Sequence, residues 1–181
     1  MKVFISGGAK SGKSHYAQDI SVALSGEGKR YYVATMIPSG WEDMERIRLH
    51  MLDREGMGFE TLECYRDIQQ LLYRANSRGT FLVDSVTSLL QNALFPAEKN
   101  YEMDLDAARQ VADDLIAFSK WVENVIFVSD YIYSDARRYS ESTEQYRKCL
   151  AQIDRRLAQA CDTVLEVSAG QIIVHKGGLG K

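Results

Sequence analysis

The sequence predicts an α/β fold: a mostly parallel sheet flanked by helices and closed by a C-terminal β-hairpin. Three observations carry this. Short runs rich in β-branched and aromatic residues alternate with helical apolar stripes. The strand-like runs are apolar nearly throughout, as strands covered on both faces are. The first run passes directly into a glycine-rich loop and then a helix. A chain of 181 residues suits one domain whose core buries most of its apolar surface, and 1–181 reads as a single unit without a linker.

The elements follow in order. Val3 to Ser6 reads as the first strand, and the helix after the glycine loop carries Tyr16, Ala17, Ile20, Ala23 and Leu24 on one stripe until Gly26 and Gly28 stop it. Arg30 to Thr35 reads as the second strand. Ser39-Gly40-Trp41-Glu42 fits a capping box, with Ser39 as N-cap and Glu42 reaching back, and the helix it opens places Met44, Ile47 and Met51 on one face. Ile68, Leu71, Leu72 and Ala75 mark a further helix; Thr80 to Asp84 and Val125 to Ser129 are strands. Between these two strands Leu105, Ala108, Val111, Ala112 and Leu115 mark a helix, and Tyr146, Cys149, Leu150, Ile153, Leu157 and Ala160 mark the last long one. Thr163 to Val167 and Gln171 to Val174 flank Ser168-Ala169-Gly170 as a hairpin, with glycine in the turn. Segments 36–41, 54–58, 95–104 and 130–141 read as loops.

Composition narrows the partners. The chain is 45% hydrophobic and 26% charged, ordinary for a soluble globular protein, and its net charge of −3 gives no electrostatic reason to expect nucleic acid. Cys64, Cys149 and Cys161 form neither a disulfide framework nor a metal spacing, which fits a reducing cytoplasm. No apolar run approaches the roughly 18 residues of a membrane span, and the opening Met1-Lys2-Val3-Phe4-Ile5 is too short for a signal h-region.

Gly7-Gly8-Ala9-Lys10-Ser11-Gly12-Lys13-Ser14 matches G-x-x-x-x-G-K-S in full, with a strand before it and a helix after it. Glycines let the backbone close around phosphates so that successive N–H groups point inward, and the helix N-terminus adds a favourable dipole. Lys13 is expected to reach the β- and γ-phosphates, and the Ser14 hydroxyl to ligate Mg2+. The fold class is therefore a P-loop NTPase-like (RecA-like) domain. Such a site needs an acidic partner at the end of a neighbouring strand, and Phe81-Leu82-Val83-Asp84 offers Asp84 as second Mg2+ ligand. Asp84 as a plain N-cap of a helix beginning at Ser85 is the competing reading. The P-loop by itself names no reaction.

Of three histidines, His15 and His175 read as surface residues. His50 lies in Glu45-Arg46-Ile47-Arg48-Leu49-His50, beside the Met44/Ile47/Met51 stripe and close to Arg46, Arg48 and Arg54. Such a neighbourhood attracts phosphate, and an imidazole there can attack phosphorus as a nucleophile. A solvated helix histidine is the plainer alternative.

The chain resembles the adenosylcobinamide kinase/adenosylcobinamide-phosphate guanylyltransferase family of cobalamin biosynthesis. The matching residues are Ile5 to Ser14, Tyr32-Val33-Ala34-Thr35, Met44-Glu45-Arg46-Ile47-Arg48-Leu49-His50, Thr61-Leu62-Glu63, Val83-Asp84-Ser85-Val86-Thr87 with Asn92, and Leu157 to Asp162. The resemblance implies that His50 takes GMP from GTP and passes it to adenosylcobinamide phosphate. It also implies that the P-loop serves phosphorylation of adenosylcobinamide by GTP or ATP. It assigns nucleotide contacts to Ala34, Thr35 and Met36, to Met51, Leu52, Asp53 and Arg54, and to Glu63, whose carboxylate can accept from two adjacent N–H donors of a guanine edge. A solvent-facing strand-end role for Glu63 competes evenly. The family's homotrimer is a further implication. Two stretches depart from its pattern: Ser129-Asp130-Tyr131 stands where a Ser-Asn-Glu-like run is common, and Gln152-Ile153-Asp154-Arg155-Arg156 where an Asn-Gln pair is common. These departures keep in play a P-loop small-molecule kinase that never uses His50 covalently, and a P-loop alone also permits a nucleotide-binding regulatory module without turnover.

Overall fold

The structure, a computed structural model, describes residues 1–178, so the last three residues of the expected 1–181 unit lie outside the described residues. Seven strands form one sheet: β1 (Lys2–Gly7), β2 (Arg30–Ala34), β3 (Phe59–Glu63), β4 (Thr80–Asp84), β5 (Asn124–Asp130), β6 (Thr163–Ser168) and β7 (Gln171–Lys176), in the order β3-β2-β4-β5-β1-β6-β7. Every neighbouring pair is parallel except β6–β7, the closing hairpin. Its turn places both Ala169 and Gly170 at positive φ, the backbone twist that two-residue hairpins require.

Strand side chains alternate between two cores. Val3, Ile5, Tyr32, Leu82, Ile126 and Val128 face α1 (Lys13–Ser25), which contributes Ala17 and Ile20. Phe4, Tyr31, Val33, Phe81, Val83, Val125 and Phe127 face the opposite layer. That layer consists of α3 (Val86–Leu94), α4 (Leu105–Trp121) and α5 (Glu141–Ala160). Because both faces are covered, the central strands read as continuous apolar runs.

Several expectations need correction. Phe59–Glu63 is an edge strand that the sequence reading left unassigned; its two glutamates and exposed Thr61 give it no apolar run. Val86–Leu94 forms a helix capped by the Ser85 hydroxyl, which accepts from the Ser88 N–H. Ile68–Tyr73 is a 3-10 helix, with the Asp67 carboxylate accepting from the Gln69 N–H at 3.1 Å. The largest change concerns α2 (Trp41–Asp53). Its N-cap is Gly40, and Ser39 pairs with Asp43, donating from its hydroxyl at 2.6 Å and from its N–H at 2.9 Å; Glu42 does not close a capping box. Met44 and Met51 are exposed, and no residue of α2 is fully buried. Asp43, Ile47 and His50, each half-buried, recur at helical spacing and lead to buried Arg54, so the face turned toward the domain is this mixed stripe; Glu45, also half-buried, lies off it and pairs with Arg48.

Candidate active site

The parallel registers bring the carboxyl ends of the strands to one edge. Ala34 pairs with Glu63 on one side and Asp84 on the other, Asp84 pairs with Val128, and Gly7 pairs with Asp130. The edge therefore collects the glycine loop, Asp84, Asp130 and Glu63. Such an edge is where ligands bind in α/β sheets.

Gly7, Gly8, Ala9, Lys10, Ser11 and Gly12 make the turn from β1 to α1. A Cβ on Gly7 would stand 2.5 Å from the Val167 carbonyl oxygen and 2.8 Å from Ser11 Oγ, so only glycine fits there. Gly12 enters α1 with φ 93°, and Lys10 also takes positive φ, at 58°. Consecutive residues of alternating hand turn their N–H groups into one concavity, the geometry that cradles an anion. Ser11 Oγ is buried without a partner among the described residues, a polar atom that a phosphate oxygen or water in the cradle would satisfy. Lys13 is 6% exposed and donates to the Gly8 carbonyl at 2.8 Å and to Asp130 Oδ1 at 2.6 Å. Ser14 follows in the first turn of α1, half-buried at the same loop.

Asp84 is not the N-cap of α3, because Ser85 fills that position. Instead its Oδ2 accepts from the Tyr32 hydroxyl at 3.1 Å. Burial first, and the adjacent Asp84 charge second, push the Tyr32 phenol well above its usual range, so it stays a hydroxyl donor. The Arg54 guanidinium stacks 3.4 Å above the Tyr32 ring centroid, and one of its terminal nitrogens, Nη1, is buried without a partner among the described residues. A desolvated guanidinium with a free donor beside a carboxylate edge favours an arriving anion. His50 lies one helical turn before Arg54 on the same inward stripe of α2. Met51, Leu52 and Asp53, expected at the nucleotide, are exposed on the last turn of α2; of residues 51–54 only Arg54 is buried.

Thr35 is completely buried, and its hydroxyl donates to the Ser85 carbonyl at 2.8 Å while accepting from the Ser85 N–H at 2.6 Å. The Asn92 amide donates to the carbonyls of Thr35 and Tyr65, both at 2.8 Å. Thr35 and Asn92 thus lock the ends of β2 and β3 to the turn carrying Asp84, leaving half-buried Ala34 and Met36 beside it. Glu63 is exposed at the end of β3 and accepts from the Tyr65 hydroxyl at 2.9 Å.

Asp130 and Tyr32 were missed as site residues. Only the register of β5 beside β1 reveals Asp130, because nothing local in Ser129-Asp130-Tyr131 points at Lys13. The Asp130 N–H donates to Thr87 Oγ1 at 2.9 Å, and Tyr146 donates to the Thr87 carbonyl at 3.2 Å, so α3 and α5 hold the end of β5. Arg147 of α5 pins the loop beyond, donating to the carbonyls of Ile132, Asp135 and Arg137 at 3.0–3.1 Å. Behind this edge Asp154 is 4% exposed; Tyr133 donates to its Oδ2 at 2.8 Å, and Oδ1 has no partner among the described residues. Burial raises the Asp154 carboxyl to about 6, against the lowering effect of its hydrogen bonds.

A glycine-rich P-loop between β1 and α1, at the same sheet edge as a carboxylate at the end of β4 with β5 inserted between the two strands, defines the molecule as a P-loop NTPase-type domain. Solved structures of that kind share the fold. Flagellar accessory protein FlaH from Methanocaldococcus jannaschii superposes with a TM-score of 0.52 at 14% identity, over 98% of this chain and 79% of the other. A KaiC-like protein from Pyrococcus horikoshii superposes with a TM-score of 0.53 at 16% identity, over 97% and 78%. The sequence profile of the cobinamide kinase / cobinamide phosphate guanyltransferase family matches residues 3–174, and the chain belongs to that family. The bifunctional adenosylcobalamin biosynthesis proteins CobU of Salmonella typhimurium and Escherichia coli are 27% and 26% identical to it, each over 94% of this chain and 97% of the relative. The chain is thus an enzyme of the kinase and nucleotidyltransferase kind. No helix among the described residues is long and apolar enough to cross a membrane.

Proposed function

We propose that this chain phosphorylates adenosylcobinamide with a nucleoside triphosphate and transfers GMP from GTP to adenosylcobinamide phosphate through a covalent GMP adduct on His50. The observation that carries the reading is the inward stripe of α2. It sets His50 one turn from the Arg54 guanidinium, whose Nη1 has no hydrogen-bond partner among the described residues and which lies over Tyr32 and so beside Asp84. In guanylylation an imidazole nitrogen of His50 forms a bond to the α-phosphorus, and the bond to the bridging oxygen breaks, its electron pair leaving with pyrophosphate. The phosphate oxygen of the acceptor then attacks the same phosphorus and releases the imidazole. In phosphorylation the P-loop N–H groups and Lys13 balance the charge that builds on the transferred phosphoryl group.

The residues fit Mg2+. Ser14 and Asp84 supply hard oxygen donors of the kind Mg2+ takes alongside nucleotide phosphates. When bound, the ion would neutralise β- and γ-phosphate oxygens. The apolar residues that α2 leaves to solvent, among them Trp41, Met44 and Met51, support association into a homo-oligomer, with the family's trimer as the inferred state. A cytoplasmic, single-domain enzyme acting on a small corrinoid fits the composition.

Intact mass after incubation with Mg2+ and GTP tests the proposal. The expected result is a gain of one GMP on the parent protein and none on His50→Ala. An unchanged parent mass would remove the guanylyl-transfer half and leave a P-loop kinase.

A further inference from the structure

Lys13 already spends two of its donors on this chain. An ammonium group has three, and the Gly8 carbonyl and Asp130 Oδ1 take two of them. The third is left for the β- or γ-phosphate. The Asp130 carboxylate is therefore held one ammonium group away from the phosphate, within about 5–6 Å of the oxygen that Lys13 would bind. It is held there firmly. Its N–H is fixed by Thr87, its strand lies between β1 and β4, and the loop that follows is pinned by Arg147. Yet the side chain is not sealed, being 27% exposed, and Oδ2 makes no hydrogen bond among the described residues. A carboxylate oxygen left free between a phosphate cradle and Asp84 is placed to meet whatever approaches the γ-phosphate from outside.

We infer that Asp130 is the general base of the phosphoryl-transfer step, accepting the proton of the acceptor's hydroxyl on Oδ2. This deepens the kinase half of the function proposed above and rests on it. The hydroxyl oxygen forms a bond to the γ-phosphorus. The bond from that phosphorus to the β–γ bridging oxygen breaks, and its electron pair leaves with the nucleoside diphosphate. The hydroxyl proton passes to Asp130 and from there to water. Lys13 links the two events, because the same ammonium group orients the base and binds the phosphate.

Asp130→Asn tests the assignment. It keeps the size of the side chain and an oxygen for Lys13, and removes the base. Transfer of labelled γ-phosphate from MgATP to cobinamide is measured with parent and variant, together with MgATP affinity. The expected result is a kcat about a hundredfold lower or more, with the Kd for MgATP within a few-fold of the parent or tighter. The groups facing Asp130 are Lys13 from α1, Thr87 from α3, and Tyr146 and Asp154 from α5. A fall in parent kcat on the acid side that persists in Asp154→Asn but vanishes in Asp130→Asn would assign the proton to Asp130. A variant kcat within about threefold of the parent overturns the inference. So does a loss of kcat matched by an equal loss of MgATP affinity, which is collapse of the site. A parent that binds MgATP but phosphorylates no cobinamide removes the kinase reading itself. Transfer retained by both proteins removes only the base.

Discussion

Replacing Asp154 with Asn should make the protein more stable, and more so as pH rises. Asp154 is almost fully buried in α5, where Tyr133 donates to its Oδ2, and burial moves its carboxyl from the ordinary 3.8 to about 6. The folded chain then binds a proton more tightly than the unfolded chain does. Stability linked to this group is fully present below about pH 4, declines between pH 4 and 6, and is lost above that. At about 1.36 kcal/mol per pH unit the displacement amounts to about 3 kcal/mol of penalty at neutral pH. Asn carries no charge, and its oxygen can still accept from Tyr133. Its amide hydrogens would recover part of the penalty as a cost of about 1 kcal/mol if left unpaired. The expected net gain is about 2 kcal/mol near pH 8, a rise in Tm of roughly 4–8 °C for a chain of this size. Thermal unfolding followed by circular dichroism at half-unit steps from pH 4 to 8 measures it. A difference between parent and variant that is constant across this range, or that grows toward acid, refutes a buried carboxylate as the cause. A carboxyl kept at such a cost beside the end of β5 is a common signature of a working site.

Two further perturbations probe the loops around the cradle. Gly7→Ala puts a methyl group 2.5 Å from the Val167 carbonyl, so MgATP affinity should fall more than about tenfold along with Tm; Gly8→Ala, whose Cβ meets only Tyr131 at 4.0 Å, should leave Tm near that of the parent, and equal Tm losses would refute the steric account. Thr35→Val strips the buried Ser85 N–H of its acceptor, while the Ser85 carbonyl keeps the Leu89 N–H, and should cost about 1–3 kcal/mol in urea unfolding, with no measurable loss showing that water replaces the hydroxyl.

The central strands and the glycine loop were legible because their physics is local. Residues Gly7 to Ser14 form their turn from their own glycines, and β1, β4 and β5 announce themselves by apolar runs that only doubly covered strands can carry. The helices α4 and α5 show their buried stripes in sequence because Ala108, Ala112 and Leu115 of one and Leu150, Ile153 and Leu157 of the other enter a single core. α2 misled for the opposite reason. Its methionines are spaced like a core face, but no sheet lies beneath them, and the inward side is set by Ile47, His50 and Arg54. β3 was missed because an edge strand buries too little to need an apolar run.

The sequence by itself determined that a glycine-rich P-loop turn joins a strand to a helix, with Lys13 and Ser14 at its helix end, since eight consecutive residues contain the whole motif. It also carried the family, through motifs spread along nearly the full chain. Only the tertiary structure decided that Asp130, 117 residues away, grips Lys13, and that Tyr32 joins Asp84 to Arg54. Those contacts follow from strand order and register, which arise when distant segments pair in one sheet, and no short stretch of residues encodes them.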